Sequence, residues 1–126
     1  MMTIQECYRE LGGNFEQVES RLLNVTLVEK FIKKFLDDGS FSELCRAMGE
    51  GQRDEAFRAA HTLKGVSANL GLGRLLASAG ELTELLRTES EAIPEAAFPL
   101  LETVKQDYEL TVGSIRNYLE EETLPK

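Results

Sequence analysis

The sequence predicts an all-α protein, an antiparallel four-helix bundle with additional short N-terminal helices. Three observations predict it. Apolar residues recur at spacings of three and four along nearly the whole chain. No segment alternates apolar and polar residues between hairpin turns, so no strand is expected. A length of 126 residues, without internal repeats or a low-complexity linker, suits one domain around one core. We therefore expect a single domain over 1–126, with short helices over 1–25 and the bundle over 26–122.

The elements follow in order. Ile4, Cys7, Tyr8 and Leu11 lie on one helical face, and Gly12-Gly13 ends that helix. Asn14 to Leu23 reads as a weaker helical segment. Thr26 to Glu29 has the form of a capping box, in which each side chain satisfies a free backbone N–H. Val28, Phe31, Ile32 and Phe35 continue it as an apolar stripe, broken by Asp37-Asp38-Gly39. A second capping box, Ser40 to Glu43, opens a helix carrying Phe41, Leu44, Cys45 and Met48. Gly49-Glu50-Gly51 stops it. The next helix is expected from about Gln52 to Leu70, closed by Asn69 and Gly71. After Leu72-Gly73 comes a stripe of Leu75, Ala79, Leu82 and Leu86. Residues Thr88 to Glu91 form a loop. Pro94 suits the first turn of the last helix, whose stripe is Phe98, Leu101, Val104, Tyr108, Val112, Ile115 and Leu119.

Composition excludes several function classes. The formal charge is −8, which lacks the electrostatic footprint of a nucleic-acid binder and opposes an anionic membrane surface. No apolar run approaches the length of a membrane span, and residues 1–11 have neither the basic nor the apolar region of a signal peptide. The two cysteines, Cys7 and Cys45, occupy apolar helix positions and read as reduced core thiols of a cytoplasmic protein. A single histidine, His61, excludes multi-His metal sites and acid–base histidine pairs. No metal site is expected. The many carboxylates fall on outer faces and read as solvation. The Lys30, Lys33 and Lys34 cluster likewise reads as a solvated face, and Glu120 to Glu122 as the start of a solvated tail.

On a helical wheel at about 100° per residue, Ala56, Ala59, Leu63, Val66 and Leu70 form the inward face, with Ala60 and Ser67 at its margin. His61 falls opposite, on the solvent face. Its neighbours there are Phe57, Arg58, Lys64, Gly65 and Ala68. Glycine inside a helix costs about 1 kcal/mol relative to alanine. At position 65 it removes a side chain that would flank the imidazole, and Ala68 is small as well. Lys64 is expected to lean toward the helix N-terminus and so toward the ring. An ordinary imidazole, with a pKa near about 6.5, keeps a nucleophilic lone pair at neutral pH. A lysine is a point charge suited to phosphoryl oxygens. The rival reading stays open on these residues alone: a solvated histidine, an ordinary lysine, and a glycine placed for helix packing. Phe57 is read as a partner contact, with packing by an N-terminal helix as the alternative.

The run from Ala60 to Gly71, Ala-His-Thr-Leu-Lys-Gly-Val-Ser-Ala-Asn-Leu-Gly, closely resembles the motif of histidine-containing phosphotransfer (HPt) domains. The flanking helices resemble the family's layout too. The resemblance implies an HPt-like phosphorelay intermediate. His61 would accept a phosphoryl group at Nε2 from a response-regulator receiver phospho-aspartate or from a histidine kinase. It would then pass the group to the Asp of another receiver. Lys64 would stabilise the phosphoryl group, Gly65 would give steric access, and Phe57, Arg58 and Ala68 would contact the partner. No cofactor is implied, because magnesium belongs to the receiver. No ATP site and no autonomous kinase activity are expected, and the chain reads as a stand-alone, monomeric HPt protein. Many relatives carry Gln or Glu on the next helix facing the histidine; an ungapped count places that position at Thr83, with Glu81 and Glu84 nearby. The alternative function is a helical adaptor that binds a signalling partner without carrying phosphate. An independent hydrolase lacks an acidic partner for His61 on its own face within a turn.

Overall fold

The computed structural model describes residues 2–22 and 24–123, with the backbone alone for 121–123. Among these residues the chain forms seven helices and no strand. They are α1 (Ile4–Glu10), α2 (Phe15–Leu22), α3 (Val25–Phe35), α4 (Ser40–Gly49), α5 (Arg53–Leu70), α6 (Gly73–Leu86) and α7 (Ala97–Thr123). Helices α4 to α7 pack in sequence order as antiparallel neighbours, and α4 also meets α7. Helix α1 lies on α7, while α3 lies against α2, α5 and α7. The core is aliphatic: Leu44, Leu63, Leu75, Leu82, Leu86, Val104 and Ile115 are fully buried. The Cys7 thiol is buried too and donates to the Ser114 carbonyl at 3.5 Å, whereas Cys45 is half-buried; both are free.

Both expected capping boxes are replaced by neighbouring residues. Asn24 caps α3, its side-chain oxygen accepting from the Leu27 N–H at 2.9 Å, so Thr26 lies inside the helix. Asn is at least as good a cap as Thr and stands earlier. Ahead of α4, the Asp38 carboxylate accepts from both the Ser40 N–H and the Ser40 hydroxyl. Glu43 therefore does not reach back; it pairs with Arg46. The last helix also starts later than Pro94 suggests. Pro94 opens a turn whose carbonyl accepts from the Ala97 N–H at 3.0 Å. Buried Ala97 then takes the first core position, and Phe98, next along the helix, is left 46 % exposed. The expected end of α2 at Leu23 lies outside the described residues, as do the side chains of Glu121 and Glu122 in the expected tail.

The junction between α5 and α6 holds the N-terminal helices. Gly71 closes α5 in the left-handed conformation, φ 67°, and the Leu72 N–H returns to the Ser67 carbonyl at 2.9 Å. The turn after α1 packs directly on this junction. The Arg74 N–H donates to the Leu11 carbonyl at 3.0 Å, and the Tyr8 hydroxyl donates to the Leu70 carbonyl at 2.8 Å. A methyl group on Gly13 would overlap the Gly71 carbonyl oxygen, and one on Gly73 would overlap the Gly12 carbonyl oxygen. Close backbone approach is why glycines stand on both sides.

Candidate functional site

Helix α5 carries the site. Asp54 and Glu55 in its first turn suit the positive end of the helix dipole. The first half of its inward face is alanine (Ala56, Ala59 and Ala60), with Leu63, Ser67 and Leu70 further along, all buried. Val66, expected on that face, is only half-buried, so the stripe is turned slightly toward Ala60 and Ser67. At the helix start, Arg53 donates to the Leu86 carbonyl at 2.8 Å, which caps the end of α6 and ties the two helices together.

His61 is exposed, on the side of α5 facing away from the core. The Phe57 ring stacks beside it, with centroids 6.0 Å apart and planes at 24°. Phe57 is half-buried, packed partly against the core, and the Arg87 guanidinium lies over its ring, 5.0 Å from the centroid. Arg87 in turn donates to both carboxylate oxygens of Glu84 at 3.3 Å. The Glu84 carboxyl is held below the usual carboxylate range by the hydrogen bond and charge of Arg87, and the charges of Lys64 and His61 act in the same direction. These residues form two facing stripes: Phe57, His61 and Lys64 on α5, and Gly80 and Glu84 on α6 with Arg87 at its C-cap.

The Lys64 stem crosses toward α6 instead of running back along its own helix. Its Cδ and Cε pass over Gly80, where a methyl group would meet them at 3.8–3.9 Å. It lines a hollow with Glu81, Glu84, Leu85 and Leu100. On the other flank, Arg58 donates to Asp54 at 2.8 Å, and Thr62 borders a hollow shared with Asp38 and Glu43. His61 thus stands on a ridge between two depressions.

Gly65 settles one rival reading. A Cβ built there would have no atom within 4 Å, so no neighbouring helix requires a glycine at this position. Ala68 continues the ridge and borders the turn between α1 and α2. Thr83 has no part in the site. It is fully buried and its hydroxyl donates to the Ala79 carbonyl at 2.7 Å. The ungapped count reaches the right level of α6 but the inward side; the residue beside the ridge is Glu84.

Glu84 and Arg87 were not legible from α5 alone. Their signal is the hairpin: positions equally far from Leu72, at the centre of the turn, lie at the same level, which pairs Lys64 with Gly80 and Phe57 with Arg87. Among the described residues no group of His, Cys, Asp or Glu is placed to hold a metal ion, and no helix is long and apolar enough to cross a membrane.

Comparison with curated proteins and with solved structures yields no match. The family model of the Hpt domain matches residues 26–121, which span α3 to α7 except for the ends. The chain therefore belongs to the Hpt domain family, whose role is phosphotransfer in two-component phosphorelays.

Proposed function

We propose that His61 is the phosphoacceptor, receiving the group from a receiver phospho-aspartate or a histidine kinase and delivering it to the aspartate of another receiver. The observation that carries this reading is the open space at Gly65 beside an exposed imidazole. A fold that does not need a glycine there gives up helix stability for access.

In this reading the Nε2 lone pair attacks phosphorus, and the bond from phosphorus to the aspartyl oxygen breaks. The aspartate leaves as a carboxylate and no water enters. The proton on Nδ1 stays on the ring, and its positive charge offsets the charge of the attached group. Delivery is the reverse reaction on a second receiver. Lys64 supplies cationic charge to the phosphoryl oxygens, and its stem lying over Gly80 fixes the direction from which it does so. Phe57 limits the tilt of the imidazole by stacking, and thus orients the attacking nitrogen. Arg58 and Ala68 border the surface that the partner covers. Magnesium comes with the receiver.

The test is to incubate the protein with a phosphorylated receiver and look for acid-labile, base-stable phosphate on it. His61→Gln abolishes the label. Label that persists in His61→Gln sinks the assignment. Full signalling output from His61→Gln, with no label on the unaltered protein, establishes the adaptor reading instead.

A further inference from the structure

The Hpt match begins at residue 26, so α1 and α2 lie outside it. Yet α2 ends beside the ridge that carries His61. Gln17, Ser20 and Arg21 line a hollow with Ala68 and Gly71. Arg21 also borders a second, mostly apolar hollow with Phe31, Lys34, Val66 and Leu70. It stands between the two, at the level where α5 passes from Gly65 to its end. Arg21 and Lys34 are exposed and form no ion pair among the described residues, whereas Arg46, Arg58 and Arg87 are each paired. Phe31 is 36 % exposed on the same hollow.

Magnitudes decide whether a partner docked on His61 reaches this region. Seven residues separate His61 from Ala68, about 10 Å along the helix. A standard interface buries about 800 Å² per partner, a disc of radius about 16 Å. A disc centred on His61 therefore covers Ala68 and extends onto α2. The helix is not free to move aside. Tyr8, Leu11 and the apposed glycines fix the turn that precedes it.

We propose that α2 is a wall of the receiver-docking surface, with Arg21 reading an acidic patch on the receiver beside its phosphorylated aspartate. This rests on the assignment of His61 as the phosphoacceptor. It makes the N-terminal segment a determinant of which receivers exchange with this protein. The unpaired cations at the edge of an otherwise acidic chain steer an acidic partner into register, and the apolar hollow with Phe31 gives it a dry contact.

The experiment measures transfer from a phosphorylated receiver against receiver concentration and salt, for the unaltered full chain, Arg21→Glu and Arg21→Lys. In parallel, each is charged with phosphoramidate, which phosphorylates imidazole with loss of ammonia and is too small to touch α2. Arg21→Glu is expected to raise the receiver concentration for half-maximal transfer about tenfold and to flatten its salt dependence, while phosphoramidate still charges His61. Arg21→Lys keeps most of the original behaviour. The proposal is overturned if Arg21→Glu matches the unaltered protein in both respects, or if it loses phosphoramidate charging as well, since the defect then lies in His61 or the fold. If the unaltered protein takes no phosphoryl group from any receiver but phosphoramidate charges it, the His61 assignment as a relay residue falls, and this inference falls with it.

Discussion

Gly65 separates stability from access at a single position. Nothing packs on it, so Gly65→Ala is expected to raise stability by about 0.5–1 kcal/mol, read as a higher denaturation midpoint. Gly65→Gln, equally well folded by circular dichroism, is expected to lose most transfer from a receiver because its side chain stands where the partner must approach. Normal transfer in that variant would remove the steric role. The exposure of His61 and its place beside Phe57 and Gly65 were legible in the sequence, because all lie within one turn of it on the same helix, but the course of the Lys64 stem toward α6 was not. Glu84 was reached only through the family resemblance, as a neighbour of Thr83, and Arg87 not at all, since both reach the site through the packing of α6 on α5. Periodicity along one helix carries no information about that pairing until the turn between the helices is fixed.

At the level of elements, helix positions and most helix starts were legible, but the caps of α3 and α4 and the start of α7 were not. Asn24 and Asp38 supply the caps assigned to Thr26 and Ser40, because adjacent polar residues compete for the same free N–H groups and sequence alone does not say where the chain bends. The contact between the α1–α2 turn and the α5–α6 turn was likewise invisible. The sequence shows glycines at 12, 13, 71 and 73, but not that they face one another. Two variants probe this lock. Gly73→Ala forces the Gly12 carbonyl away and is expected to cost about 1–3 kcal/mol. Hydrogen exchange should then rise first in α1 and α2 while α5 keeps its protection. Uniform loosening of all helices would mean that the turn supports the whole bundle. Tyr8→Phe leaves the Leu70 carbonyl without its side-chain donor and is expected to cost about 1 kcal/mol in urea unfolding.

For the whole molecule, alkaline pH acts most strongly through two buried groups on the inner face of α1, while burial raises Cys45 and Tyr108 in the same direction. Burial, with the Glu10 charge adding, pushes the Cys7 thiol up to about 12. Burial also pushes the Tyr8 hydroxyl above its ordinary value. Both groups ionise more readily in the unfolded chain, so their contribution is fully present below about pH 9 and is lost as the medium becomes more alkaline. Thermal midpoints are therefore expected to hold steady from neutrality to about pH 9 and then fall, and Cys7→Ala should flatten the first part of that fall. A midpoint indifferent to alkali up to pH 11 would contradict it. The ridge itself has a consequence for traffic through the relay. One imidazole stands on it, and a footprint of ordinary size fills the surface from Phe57 to α2. If receivers exchange phosphoryl groups at His61, as we propose, two of them cannot occupy it together. Donor and recipient would then take turns, and a spent donor that lingers would be a competitive inhibitor of delivery. The output of such a relay is set as much by how fast the first partner leaves as by how fast the phosphoryl group moves.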